Sequence, residues 1–370
     1  MNNYLITALL FVLSINIAAV DSSSRALAQA PQWTTFSRCD SVPQDSWNLV
    51  PRQEGGVYAY SVNYDGGGEI EEYDGTSCRI RLLLDKSEGS INCLTATKEG
   101  IIWIGTTKGE VIEISGSVVT RYRNLMVVSQ YGVSNFNCCS IAASKSGDIW
   151  ISGYGVYGGL YKLDGGRFVC LYKTPSSDIS FFGIDQVLID TSETCWFSDR
   201  DLVGVSQGNQ YHIFDAWNSP IQGFTSDWIG GSDPELFMDS TGSVLFLEQI
   251  PKRHSNVFVA TEYYLFRFRA GEWVQHPLSS LKHSLKGAEI MDMAIDKAGN
   301  YWLLAKDFRR EKVTFFELVA SSNKVRFIKS WSSLADSCPE AITVDSGSNK
   351  WLSTNDGVLV YHEGGVSFKQ

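Results

Sequence analysis

Residues 97–114 read TKEGIIWIGTTKGEVIEI, and versions of this stretch return at near-constant intervals along the chain. Each copy has Asp or a substitute at position i, Gly or a substitute at i+3, and Trp or a substitute at i+6. The later copies are SKSGDIWISG (144–153), DTSETCWFSD (190–199), DSTGSVLFLE (239–248), DKAGNYWLLA (296–305) and DSGSNKWLST (345–354). Such a repeat predicts stacked supersecondary units, because one unit cannot bury its own faces.

A weaker copy, RQEGGVY (52–58), completes the series. The residues at i+6, which we call the anchors, are then Tyr58, Trp103, Trp150, Trp196, Leu245, Trp302 and Trp351. Their mean spacing of about 49 residues is typical of four-stranded propeller blades. The sequence therefore predicts an all-β fold, a seven-bladed β-propeller of four-stranded antiparallel blades over residues 44–370.

The best-preserved unit predicts its own strands by alternation and turn residues, at 90–96, 101–106, 110–114 and 118–123. Asp or Ser at i is expected to cap the turn between the first two strands, and Gly at i+3 to supply positive φ. The anchor on the second strand is expected to fill the gap between one blade and the next. We therefore interpret the anchor tryptophans as core residues.

The N-terminus predicts export. Residues 4–20 are apolar and precede a polar stretch with two A-x-A sites, which is typical of a secretory signal peptide over residues 1–28. Residues 29–43 are then expected to form an N-terminal arm, in which segment 33–36 either forms an additional outer edge strand or covers one. At the other end of the chain, VSFKQ (366–370) is expected to supply the fourth strand of the last unit. Because MNNY lacks Lys or Arg, an uncleaved membrane anchor is the alternative. We expect a periplasmic or extracellular monomer with no membrane contact after cleavage.

Composition limits the classes of function. The chain has 44% hydrophobic and 19% charged residues, which excludes general disorder, and its net charge of −10 disfavours nucleic acid as a partner. No G-x-S-x-G, H-E-x-x-H, phosphate-loop or EF-hand spacing occurs, so no cofactor, metal or catalytic residue is predicted.

Eight cysteines in an exported chain permit disulfides, although their spacing allows many pairings. Cys39 and Cys338 each precede the inner strand of the first and last units, which are neighbours in a closed ring. We predict a Cys39–Cys338 disulfide, because a link at ring closure restrains the unfolded chain strongly.

With these motifs in view, the chain resembles the two-component regulator propeller repeat, in which a D-x-x-G turn is followed by W-I-G-T and a Gly-led third strand. IWIGTTKG (102–109) matches it closely, and IWISG (149–153) and KWLSTNDG (350–357) match well. The resemblance implies a β-propeller that serves recognition, as in the periplasmic parts of sensor kinases. No kinase, membrane span or DNA-binding domain follows these repeats, which favours a stand-alone exported binding protein.

Cationic residues mark two neighbouring loops as a candidate binding site. Lys252, Arg253 and His254 lie between the second and third strands of unit five, and Lys306, Arg309, Arg310 and Lys312 lie there in unit six. Such a patch suits a phosphate, sulfate or carboxylate on a glycan, an anionic small molecule or a protein. The alternative is neutralisation by Glu248, Asp307 and Glu311. Trp217 and Trp228, in the long connection 215–234, are candidates for stacking on a ligand.

An enzyme is the second hypothesis. Propeller lyases acting on lactone-type antibiotics and metal-dependent lactonases place His and Glu, or Glu, Asn and Asp, at the mouth of the central channel. His212, His276 and His362 are predicted on or beyond outer strands, at the surface, whereas His254 and His283 lie in loops that reach the same face as the cationic patch. We favour non-catalytic binding of a ligand or partner through that loop-rich face.

Overall fold

A computed structural model describes residues 32–39, 46–62, 66–123, 127–129, 132–134, 136–154, 158–173, 183–199, 202–207, 210–215, 235–239, 241–254, 257–269, 272–276, 285, 288–335 and 337–363. The predicted signal peptide (1–28) and the predicted strand at 366–370 lie outside these residues. Among the residues described, none forms a helix of the length and apolar character that crossing a membrane requires.

The chain forms seven four-stranded antiparallel sheets, as the repeat predicts. Blade one contains β2 (Ser46–Pro51), β3 (Val57–Val62), β4 (Gly68–Tyr73) and β5 (Cys78–Leu84), and blade two contains β6 (Ile91–Ala96), β7 (Ile102–Thr106), β8 (Val111–Ser115) and β9 (Val118–Tyr122). Blade three contains β12 (Asn137–Ala143), β13 (Ile149–Tyr154), β14 (Gly159–Asp164) and β15 (Arg167–Lys173), and blade four contains β16 (Gln186–Ile189), β17 (Cys195–Asp199), β18 (Leu202–Gln207) and β19 (Gln210–Asp215).

The remaining blades follow the same order. Blade five contains β20 (Glu235–Met238), β21 (Val244–His254), β22 (Val257–Arg269) and β23 (Glu272–His276), and blade six contains β24 (Glu289–Ile295), β25 (Tyr301–Asp307), β26 (Lys312–Val319) and β27 (Lys324–Ser332). Blade seven contains β28 (Ala341–Val344), β29 (Lys350–Thr354), β30 (Gly357–His362) and β1 (Gln32–Ser37). A 3₁₀ turn (Lys86–Glu88) precedes β6, and β10 (Val127–Ser129) pairs with β11 (Gly132–Ser134) between blades two and three.

Blade seven closes the ring with both ends of the chain. β1 pairs antiparallel with β30, from Gln32 opposite His362 to Ser37 opposite Gly357. The segment that the sequence placed in an N-terminal arm thus supplies the outer strand of the last blade. The first strand of the chain is therefore held by the last one, which leaves β30 covered on both edges.

Hydrogen bonds within a unit explain why the same residue types recur in the repeat motif. In blade six, Asp296 Oδ1 accepts the backbone N–H groups of Ala298 and Asn300, and Asp296 Oδ2 accepts the indole N–H of Trp302 at 2.9 Å. Asp345 with Trp351, and Asp190 with Trp196, repeat the indole contact at 2.9 Å. One carboxylate thus caps the turn and orients the anchor, which explains why Asp and Trp recur six residues apart.

The core consists of one apolar cluster at each of the junctions between neighbouring blades. Each anchor lies in the cluster that its own blade shares with the next blade, and the tryptophan anchors are all buried. The prediction that these rings fill the gaps between blades is therefore confirmed. Because every cluster is shared by two blades, no blade can bury its faces alone.

The predicted Cys39–Cys338 disulfide is wrong: the structure pairs Cys39 with Cys78 and leaves Cys338 as a buried free thiol. Cys39 follows β1, an outer strand, rather than leading directly into an inner strand. Cys338 lies just before β28, the inner strand of blade seven, so the two cysteines are at opposite edges of the sheet. Cys78 begins β5, the outer strand of blade one, which places it at the same outer edge as Cys39.

Candidate functional site

The top face of the propeller, as we call it, carries the turns between second and third strands and the connections from each outer strand to the next blade. Strand order fixes this arrangement, because every inner strand starts at that end and every second strand finishes there. Residues on these turns tolerate change better than the buried strands below them, so this face is the natural location for a binding site.

The turn of blade six on this face, residues 307–312, is held by hydrogen bonds to its own backbone, and we call it the blade-six tip. Asp307 Oδ1 accepts the backbone N–H groups of Arg309 at 3.0 Å and Arg310 at 3.1 Å. Asp307 and Lys312 then pair across the base of the turn. The side chains of Arg309, Arg310 and Lys312 are exposed, so the turn presents three cations from a fixed backbone.

The predicted neutralisation of these cations is slight. Arg310 Nη1 lies 3.5 Å from Asp307 Oδ2, with the arginine side chain 79% exposed. Arg309 and Lys312 form no ion pair with any other residue that the structure describes. An exposed pair of this length contributes at most about 1 kcal/mol, and it leaves the guanidinium accessible to a ligand.

The other candidate residues from the sequence are placed only in part. Arg253 and His254 end β21, where they pair with Phe258 and Val257 of β22. The segment 248–256, predicted as a loop, thus continues the pairing of β21 with β22 as far as His254, because the partner strand begins with VFV (257–259), residue types that favour strands. The side chains of Arg253 and His254, and all of Trp217 and Trp228, lie outside the described residues.

Sequence reasoning missed a set of polar side chains on the inner strands that bind the backbone of the next blade. Ser140 bonds to both N–H and C=O of Val187, and Gln186 does the same with Leu236. In blade six, Asp292 Oδ2 accepts the N–H of Ile342 at 2.7 Å. Each of these residues stands ten positions before its anchor, a regularity that could have identified them.

Two inner carboxyl groups have raised pKa values. Burial raises the pKa of Asp292 to about 7, against the effect of the N–H groups of Ile342 and Met293. Burial also raises the pKa of Glu340, whose Oε2 accepts the N–H of Trp47 at 3.2 Å. Both groups link neighbouring blades around the channel, so we interpret them as structural contacts between blades.

The described histidines do not form a catalytic pair. His212 lies on β19 with its ring centroid 4.5 Å from that of Phe214. His362 is buried on β30, with Nε2 at 3.2 Å from Thr34 Oγ1, and burial lowers its pKa. The predicted surface location of His362 is wrong, because β1 adds a strand outside β30. The side chains of His254 and His276, and all of His283, lie outside the described residues.

Among the described residues, one trio has the atoms to hold a metal ion, namely Cys39, Glu71 and Cys78. The two sulfur atoms are joined in the disulfide. Glu71 accepts the N–H of Cys39 at 2.7 Å and the hydroxyl of Tyr73 at 2.6 Å. The trio is therefore explained by its own bonds and belongs to the closure of the ring.

Comparison with known proteins supports the fold and the repeat. Residues 85–108 match the family model described as "Two component regulator propeller". No curated protein sequence matches the chain. Among solved structures, "Streptogramin B lyase structure" aligns with a TM-score of 0.64 and 13% identity, covering 90% of this chain and 98% of that one.

Two further structures align over most of the chain. "YCF48 bound to D1 peptide" gives a TM-score of 0.58 at 11% identity, covering 90% of this chain and 97% of that one. The extracellular domain of the putative one component system BT4673 from B. thetaiotaomicron gives 0.53 at 14% identity, covering 89% of this chain and 39% of that one. The chain thus spans well under half of the latter structure. At these identities the likeness shows the propeller fold alone.

Proposed function

We propose that this seven-bladed β-propeller, whose residues 85–108 match a two-component regulator propeller repeat, is an exported recognition protein that binds an anionic ligand or partner through its top face, without catalysis. The observation that carries this proposal is the blade-six tip. It presents Arg309, Arg310 and Lys312 to solvent on a hydrogen-bonded turn, although the chain as a whole has a net charge of −10.

Electrostatics and geometry both favour an anion at this tip. A guanidinium group offers two parallel N–H donors that match a carboxylate, sulfate or phosphate, and two adjacent arginines on one turn double that capacity. A local cationic patch on an acidic body also orients an incoming anionic partner, because the rest of the surface repels it. Lys306, at the end of β25, adds a fourth cation beside the turn.

Export is part of the proposal. Its support is the apolar segment 4–20 with its A-x-A sites and the Cys39–Cys78 disulfide, since such bonds persist mainly in oxidising compartments. The mature protein would then begin at Gln29. N-terminal sequencing of protein recovered from the periplasm or medium tests this, and a product that still begins at Met1 contradicts cleavage.

The binding test is a panel of acidic polysaccharides, phosphorylated and carboxylated metabolites and acidic peptides against the mature protein. We expect Arg309→Ala/Arg310→Ala to weaken every anionic hit by tenfold or more, about 1.4 kcal/mol or more, and to reduce its dependence on salt. The matched control is Arg167→Ala/Lys324→Ala, which removes two exposed cations at the opposite ends of the blades. Hits that survive the first variant, or are lost equally in the control, refute the site.

A further inference from the structure

Two exposed apolar side chains distinguish the top face of blade six. The large apolar residues that the structure exposes lie mostly on strands, chiefly the outer ones, where an edge of a sheet meets water. The exceptions among the described residues are Phe308, 58% exposed in the blade-six tip, and Leu334, 77% exposed in the connection after β27. Neither position is imposed by strand alternation, so their exposure requires another explanation.

A hydrogen bond joins the segments that carry these two residues. Ser333 N–H donates to Glu311 O at 2.8 Å, directly beyond the last strand pair, Lys312 with Ser332. The N–H of Leu334 then donates to Ser332 Oγ at 3.3 Å. The connection is thus joined to the tip by hydrogen bonds, and we call these two neighbouring segments the blade-six patch (residues 306–312 and 332–335).

The charges of the patch complement an acidic partner. Lys306, Arg309, Arg310 and Lys312 outnumber Asp307 and Glu311, and the Asp307 carboxylate is occupied by the backbone of its own turn. Lys306 Nζ lies 5.1 Å from the centroid of the Phe308 ring. A cation already on one face of that ring makes the flat stacking of a sugar less favourable there, whereas an apolar side chain can still pack against the ring's edge.

Leu334 distinguishes further between classes of ligand. An aliphatic side chain offers no flat surface for a sugar ring and no hydrogen bond to a small anion. It does gain free energy when an apolar side chain covers it. Cations beside two apolar residues are the combination that suits a polypeptide segment carrying both carboxylates and a large apolar side chain.

We propose that the blade-six patch binds an acidic polypeptide segment in which a large apolar residue lies beside Asp or Glu. This inference rests on the proposed function and names the class of partner for that site. The arginines hold the carboxylates, and Phe308 and Leu334 take the apolar side chain.

In the test, 12-residue peptides are selected from a random display library on the immobilised mature protein. The affinity of the enriched peptides is then measured. We expect the enriched pool to be acidic and to carry Phe, Leu, Ile or Trp beside the acids. Phe308→Ser/Leu334→Ser should weaken the enriched peptides tenfold or more. The matched control, Leu83→Ser/Phe327→Ser, removes two apolar residues of similar exposure, 62% and 60%, and should leave their affinity unchanged.

Polygalacturonate, an acidic polymer without apolar side chains, separates this inference from the proposed function. Suppose that polygalacturonate binding depends on Arg309 and Arg310. If the enriched peptides are then not acidic, or if they bind the Phe308→Ser/Leu334→Ser variant as well as the unchanged protein, the polypeptide inference is overturned and the anion site stands. If Arg309→Ala/Arg310→Ala leaves both the peptides and the polymer bound, the inference and the proposed function both fail.

Discussion

Cys39 and Cys78 form a disulfide that joins the end of blade seven's outer strand to the start of blade one's outer strand. Arg38 supports the same crossing through its ion pair with the buried Glu69, at 2.6 Å. The ring is therefore closed twice: by the pairing of β1 with β30, and by a covalent bond from that strand to the next blade.

Removing this bond should destabilise the whole ring. The disulfide spans a sequence separation of 39 residues, so loop entropy predicts a loss of about 4 kcal/mol in the free energy of unfolding for Cys39→Ser/Cys78→Ser. Denaturant unfolding of oxidised protein measures the loss. Cys170→Ser, at an exposed cysteine outside the disulfide, is the control. Equal stability of the two variants would show that the link does not hold the ring.

Blade two lacks the carboxylate that blades four, six and seven supply to their tryptophan anchors. Thr97 stands where Asp296 and Asp345 stand elsewhere, and the Trp103 indole N–H is buried without a hydrogen-bond partner among the described residues. We expect Thr97→Asp to raise the free energy of unfolding by about 1 kcal/mol, because one oxygen caps the turn and the other accepts the indole N–H. Thr97→Asn, which has a single acceptor oxygen, should raise it less. Equal effects of the two variants would contradict this account.

Asp292 should make the stability depend on pH. Its folded pKa of about 7 lies above the ordinary value of 3.8, so the folded protein holds a proton between these pH values that the unfolded chain has lost. The stabilisation from the protonated Asp292 is fully present below pH 4 and is lost as pH rises through 7. The loss lowers the free energy of unfolding by up to about 4 kcal/mol. Unfolding at pH 4.5, 6 and 8 measures the decline.

The residues that occupy the position of Asp292 in other blades explain why a protonated carboxyl group fits there. Ser140 and Gln186 both donate to and accept from the next blade, whereas an ionised carboxylate only accepts. Asp292→Asn, which keeps a donor at all pH values, should flatten the decline between pH 4.5 and 8. An unchanged slope in this variant would assign the pH dependence to other groups.

Ser348 adopts a conformation that favours glycine. Its φ is 63°, at the i+3 position where Gly299 has 82° in blade six. We expect Ser348→Gly to raise the free energy of unfolding by about 0.5 kcal/mol, since the relief of left-handed strain exceeds the added entropy of the unfolded chain. The reverse change, Gly299→Ser, should lower it by about 0.5 kcal/mol by the same balance. Thermal unfolding of the pair measures both, and a fall in Tm for Ser348→Gly would contradict the argument.

Much of the fold was predictable because its determinants are close in sequence. The cap at i, the turn at i+3 and the anchor at i+6 interact within a few residues of one another, as Asp296 and Trp302 show. In the proposed binding site, Arg309 and Arg310 were predictable as a cationic turn. Phe308 and Leu334 were not singled out, because their exposure depends on where blade six ends and how the following connection folds back.

The sequence by itself determined the number of blades, the turn chemistry and which residues serve as anchors, since the period of about 49 residues and the contacts between positions i and i+6 are local in the chain. Tertiary structure decided which strand closes blade seven, which cysteine meets Cys39, and which polar side chains of one inner strand reach the next. Those choices bring together residues from different blades or from opposite ends of the chain, as in the pairing of Gln32 with His362. Only the packing of blades against one another and the closure of the ring bring such residues together.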